Sequence, residues 1–121
     1  MEQLYSMVIS TCATAEEARK IAKLLVEKHL AACVQMFPIE SIYTWQDRLC
    51  EEKEIMIFIK TRIELTDQVE QEIKKNHSYD VPEIIDIPID GGLPEYLSWI
   101  GESTNCYDRQ FSSSGGLSAN K

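Results

Sequence analysis

The stretch EKEIMIFIKT, residues 52–61, decides the fold. In an extended chain successive side chains point to opposite faces, so Ile55, Ile57 and Ile59 share one face and Met56 and Phe58 the other. A strand wetted on one side alternates apolar with polar residues, and this one does not. Both of its faces need cover: one from the chain's own helices, the second from another layer or another subunit.

Working outward, AACVQMFPIESIYTWQ (31–46) is long, β-rich and interrupted by Pro38. Proline cannot donate to a ladder, so a bulge, a bend or an edge position is expected there. DRLCE (47–51) reads as the turn between these two strands. Near the N-terminus QLYSMVIST (3–11) is a short strand. The period then changes in TAEEARKIAKLLVEKH (14–29), where Ala18, Ile21, Ala22, Leu25 and His29 fall on one helical face. Thr14 followed by Glu17 is a capping-box start, and Lys28 and His29 suit the negative end of the helix dipole. A second helix, ELTDQVEQEIKKNH (64–77), carries the stripe Leu65, Val69, Ile73 and closes on Lys74, Lys75, Asn76 and His77.

NHSYDVPEIIDIPID (76–90) first stops that helix, because Pro82 disfavours a helical neighbour, and then enters a strand with Ile85, Ile87 and Ile89 on one face. After Gly91 and Gly92, LPEYLSWIG (93–101) reads as a short helical or irregular segment containing Trp99.

The order β-α-β-β-α-β is that of an α+β, ferredoxin-like sandwich, an antiparallel sheet with helices on one face. Its other face carries Met56, Phe58 and part of the strand holding Tyr43 and Trp45. An apolar face of that size predicts self-association. Residues 1–103 form one domain; 104–121, rich in Ser and Gly, read as a flexible tail.

With 121 residues and 44% apolar content, the chain can build a core without staples. No apolar run of about 18 residues is present, so no membrane partner is expected, and MEQLYSMVIST does not read as a secretion signal. Cys12, Cys33, Cys50 and Cys106 match no zinc spacing; reduced thiols in the cytoplasm are expected. A net charge of −8 repels phosphate backbones and argues against nucleic acid. Neither a P-loop, a G-x-S-x-G nor an H-E-x-x-H is present, so no enzyme and no organic cofactor is indicated.

LVEKHLAACVQ, SIYTWQ, EKEIMIFIKT, HSYDVPEIIDIPI and YLSWI together resemble the CutA family, named for divalent-cation tolerance. The resemblance runs from residue 5 to residue 101. It implies a ferredoxin-like subunit with an extended hairpin, assembled into a homotrimer similar to the PII signalling proteins, with no established reaction. It also implies a divalent cation, Cu²⁺ first. The bacterial copper pattern, a cysteine and two adjacent histidines, falls here on Ser10 and on Asn76 and His77, and HSYD stands where the family has HPYE.

Candidate metal ligands are therefore His77, Cys12 and Glu83. Imidazole and thiolate suit copper, and a helix start beside Cys12 would lower its pKa. The plainer readings are a helix-ending histidine and a structural ion pair for Glu83. Tyr43, Trp45, Lys60, Tyr79, Asp80 and Trp99 are candidate lining of an intersubunit cleft, the aromatics serving interface or ligand. Lys60 is either a strand-end charge or the partner of Glu83 or Asp80 across a boundary. The alternative to metal handling is a PII-like sensor or scaffold whose cleft takes a small ligand or a partner protein.

Overall fold

A computed structural model describes residues 4–104. The expected tail, with Cys106, lies outside the described residues. The elements are β1 (Tyr5–Cys12), α1 (Ala15–Glu27), β2 (Cys33–Trp45), β3 (Arg48–Arg62), α2 (Thr66–Asn76), β4 (Ile84–Ile89) and α3 (Pro94–Ser103), with a 3-10 turn at Ile63–Leu65 before α2.

The four strands form one antiparallel sheet in the order β2-β3-β1-β4. Alternation assigns the two faces. Ser6, Val8, Ser10 and Cys12 of β1 oppose Thr61, Ile59, Ile57 and Ile55 of β3. This side meets α1 and α2 through Ala18, Ile21, Leu25, Val69 and Ile73 to make the core. The odd positions of β1 pair with Met56, Phe58, Lys60 and Arg62 on the opposite face, where Phe37, Ile85 and Ile87 also point. That face is not wholly bare: α3 closes one end of it. Lys60 reaches Tyr96, Arg62 bonds Thr104, and Gly101 lies against the Tyr5 hydroxyl. The rest stays open, with Phe37 41%, Ile85 49% and Ile87 39% exposed.

Pro38 sits in register opposite Ile55 on β2, the edge strand, so of the three expected devices the edge position is the one used. DRLCE is not a turn. Pairing continues to Trp45↔Arg48, and the connection is Gln46–Asp47, with φ 52 and 63. Two positive φ angles define the tight hairpin turn whose twist matches its strands. The hairpin therefore runs past β1, whose pairing with β3 stops at Cys12↔Ile55, and projects as an arm.

Thr14 caps α1 by accepting from the Glu17 amide at 3.1 Å. His29 is not on the apolar face of α1. The helix ends at Glu27, and His29, with φ 60, turns the chain out of it. The His29 amide donates to Val26 and the Leu30 amide to Leu25, the paired bonds of a Schellman ending that usually places glycine at this position.

Candidate functional site

The projecting arm and the segment after α2 enclose a groove of about 800 Å³. One wall is the hairpin, with Ser41, Tyr43, Trp45, Cys50, Glu52 and Glu54; the other is the turn Tyr79, Asp80, Val81, Pro82, Glu83, with Thr11 at the base. Strand register explains the first wall. Ser41 opposes Glu52 and Tyr43 opposes Cys50, which brings their side chains to one face of the arm.

Hydroxyls hold the carboxylates in place. The Ser41 hydroxyl donates to Glu54 Oε1 at 2.7 Å, and the Tyr79 hydroxyl donates to Glu54 Oε2 at 2.8 Å. The Tyr43 hydroxyl donates to Glu52 Oε1 at 2.7 Å. These anionic neighbours keep the phenols protonated. The hydrogen bond to Glu52 is the main cause that pushes Tyr43 up to about 12. Burial, then the bond to Glu54, raises Tyr79 further.

The turn is fixed from behind by His77, whose side chain is fully buried. β4 pairs with β1 only as far as Ser10↔Ile84. Just beyond that rung the Thr11 carbonyl accepts from His77 Nε2 at 2.7 Å. Nδ1 in turn accepts from the Tyr79 amide at 3.1 Å, and the two rings lie 4.8 Å apart. This assigns the proton to Nε2, and both ring nitrogens are occupied. Glu17 adds a third tie, accepting from the Ser78 amide at 2.7 Å and from the Ser78 hydroxyl at 3.1 Å.

A family profile described as CutA1 divalent ion tolerance protein matches residues 6–103. The chain belongs to this family. The divalent-cation tolerance protein CutA of Archaeoglobus fulgidus is 43% identical over 100 residues, covering 83% of this chain and 98% of that protein. Its solved structure, described as a periplasmic divalent cation tolerance protein, superposes with a TM-score of 0.82 over 84% of this chain and 99% of that one, at 42% identity. The Thermus thermophilus structure, at 41% identity, gives 0.81 over 84% and 99%. The chloroplastic CutA of Arabidopsis thaliana is 40% identical, the match covering 81% of this chain and 54% of that longer protein.

Within this CutA chain the structure gathers Tyr43, Trp45, Tyr79, Asp80 and Glu83 around the groove. Lys60 and Trp99 are not among the lining residues. Lys60 lies six residues beyond Glu54 along β3, donating to Gln35 at 2.8 Å and to Tyr96 at 3.4 Å. Within the chain it pairs with neither Glu83 nor Asp80. Trp99 packs on α3 with its ring 5.5 Å from that of Tyr96.

The three candidate metal ligands do not converge. His77 is committed at both nitrogens. Cys12 points into the core on the opposite side of the sheet, fully buried. Its thiol is not activated by the helix start: burial, then Glu17 and Glu54, push it up to about 12. Glu83 alone of the three lines the groove. Among the described residues no group of three or more His, Cys, Asp or Glu side chains is set to hold a metal ion.

Glu52, Glu54, Ser41 and Cys50 do not stand out in the sequence, because reading 47–51 as a turn removes Cys50 from its strand and shifts which residues of the two strands face each other. The signal was the register itself: a two-residue turn at Gln46–Asp47 brings Cys50 opposite Tyr43.

Proposed function

We propose that this CutA chain is one subunit of a non-enzymatic homotrimer acting in divalent-cation tolerance, with the groove as its ligand cleft at a subunit boundary. The observation that carries the assembly is the open sheet face. Phe37, Ile85 and Ile87 stay 41%, 49% and 39% exposed, while on the other side of the sheet Val8, Ile57 and Ile59 are fully buried. Soluble chains rarely leave so contiguous an apolar surface to water. A projecting arm and two free sheet edges, β2 and β4, supply the reach to a neighbour. Three copies is the number that the family likeness implies. The cytoplasm is the proposed compartment, since Cys12, Cys33 and Cys50 are free thiols.

Copper held by His77, Cys12 and Glu83 does not fit the donors as they stand. A divalent cation in the cleft would instead meet hard carboxylate oxygens spread along the lining, Glu52, Glu54, Asp80 and Glu83, which one subunit does not gather into a chelating group. Light scattering tests the assembly: three subunits are expected for wild type, and Ile87→Asp should release monomers. Calorimetric titration with Cu²⁺ tests the cation, with weaker binding expected in Glu83→Gln and His77→Ala no weaker than its folded fraction allows. A well-behaved wild-type monomer at high concentration removes the assembly, and identical isotherms for wild type and Glu83→Gln remove the groove as the cation's place.

The second reading is a PII-like sensor cleft for an organic ligand. The aromatic lining of Tyr43, Trp45 and Tyr79 supports it, since a bare ion has no use for rings.

A further inference from the structure

We infer that the groove takes an organic cation, a guanidinium or ammonium group on a short carbon chain, held between the Tyr43, Trp45 and Tyr79 rings and the Glu52 and Glu54 carboxylates. The inference rests on the cleft reading above and narrows it to one ligand chemistry.

The carrying observation is Glu54. It is only 8% exposed, and it faces the groove. Buried carboxylates are ordinarily matched by a cation. Glu54 receives two neutral hydroxyl donors, from Ser41 and Tyr79, and no Lys, Arg or His among the described residues forms an ion pair with it. The other buried carboxylate among the described residues follows the ordinary pattern: Glu72, equally buried, bonds Lys28 at 2.7 Å. Glu54 is hydrogen-bonded yet uncompensated in charge, beside open space.

The surroundings point the same way. Glu52, Asp80 and Glu83 add negative charge to the lining, which contains no basic side chain among the described residues. At about 800 Å³ the groove is far larger than a metal ion needs. Its rings offer the faces on which a guanidinium or ammonium group is stabilised. The Tyr43 and Tyr79 hydroxyls donate into the carboxylates and so lock the two rings beside the anions they would share with a ligand. One hydroxyl per carboxylate oxygen leaves a lone pair for a further N–H donor.

The test is calorimetry on the full chain with 4-aminobutylguanidine in EDTA, with 1,4-butanediol as the uncharged control and CuCl₂ without chelator as a separate arm. Binding of the guanidine, none of the diol, and loss of affinity as NaCl rises are expected. Glu54→Gln keeps an acceptor for both hydroxyls and removes the charge. It should weaken binding about tenfold or more, the size of one charge-assisted hydrogen bond. Should Glu54→Gln fail to assemble, Glu52→Gln, on the exposed arm, is expected to weaken binding in the same direction, with Glu64→Gln as an unaffected control. Equal binding of the diol, or unchanged affinity in both groove variants, overturns the inference. No binding of the guanidine together with a Cu²⁺ isotherm sensitive to Glu83→Gln overturns it while leaving the cleft reading intact. No binding together with dissociation of Glu54→Gln into monomers also overturns it, and assigns the counter-charge to a second copy of the chain.

Discussion

Replacing His77 with alanine should cost about 2.5–5 kcal/mol of stability, and the sum can be built from the contacts. Nε2–H donates to the Thr11 carbonyl at 2.7 Å, and Thr11 is 3% exposed, so its oxygen would be left unpaired away from water. A stranded buried acceptor costs about 1–3 kcal/mol. The Tyr79 amide loses its acceptor at 3.1 Å; being part-buried, it recovers water at a net loss of about 1 kcal/mol. Separation of the two rings, 4.8 Å apart, adds about 0.5–1 kcal/mol. In guanidinium chloride at a fixed subunit concentration, where the slope for a chain of this size is about 3–4 kcal/mol/M, the midpoint should fall by about 1 M. The loss should be the same with EDTA and with Cu²⁺. A free metal ligand predicts otherwise: EDTA would destabilise wild type, and the variant would lose little once the metal is stripped. A midpoint within about 0.2 M of wild type in EDTA refutes the bracing role.

Three further outcomes follow from the core and the helix ends. Ser10 Oγ is fully buried without a hydrogen-bond partner, so Ser10→Ala should raise stability by about 1 kcal/mol in chemical denaturation, and a loss would mean the hydroxyl is satisfied. His29→Gly should stabilise by about 0.5–1 kcal/mol by relieving the left-handed conformation, whereas His29→Val should destabilise; a thermal melt reads both signs. The Lys28 hydrogen bond, with the Lys28 and Lys75 charges, holds the Glu72 carboxyl below its usual 4.5. A lowered folded value means the stabilisation is present above the unfolded pKa and lost as pH falls through the folded one. The gap between wild type and Glu72→Gln should therefore be up to about 1 kcal/mol at neutral pH, discounted because Lys28 is half exposed, and should close progressively below about pH 4.5. A constant gap across that range would show that the ion pair contributes nothing.

Periodicity made the fold legible because period two and period 3.6 differ so plainly in this chain. Ile55, Ile57 and Ile59 against Met56 and Phe58 gave the two-faced strand, and Val69 and Ile73 lie fully buried as their stripe requires. The hairpin tip was not legible. Gln46 and Asp47 adopt positive φ without the Asn-Gly or Asp-Gly that normally marks such a turn, so the charged run DRLCE looked more like a connection than a strand. His29 misled for a similar reason, standing in register with the apolar face of α1 yet serving as the residue that leaves it. At the site, residue types named Tyr43, Trp45, Tyr79, Asp80 and Glu83, which line one groove, together with Lys60 and Trp99, which do not. They could not tell that His77 faces backward, because which nitrogen meets which partner depends on where β4 stops pairing with β1.

The capping box shows how closely the fold and the groove are joined. Thr14 makes its half of that device, but no reciprocal bond from Glu17 to Thr14 accompanies it. Glu17 instead bonds the Ser78 amide and hydroxyl, with its Oε2 3.7 Å from His77 Nδ1. The start of α1, the end of β1 and the turn after α2 are thus tied through three adjacent residues, His77, Ser78 and Tyr79, and the last of these presents its hydroxyl to Glu54. A turn whose only task was to end a helix needs no such bracing, since the extended backbone of His77 already stops α2. The bracing instead fixes one wall of the groove against the core, while the other wall rides on an arm held by its own strand pairing. In the assembly proposed above, a ligand entering between them would meet one wall anchored to the domain and one on an arm open to a neighbouring subunit, and assembly and occupancy of the cleft would then influence each other.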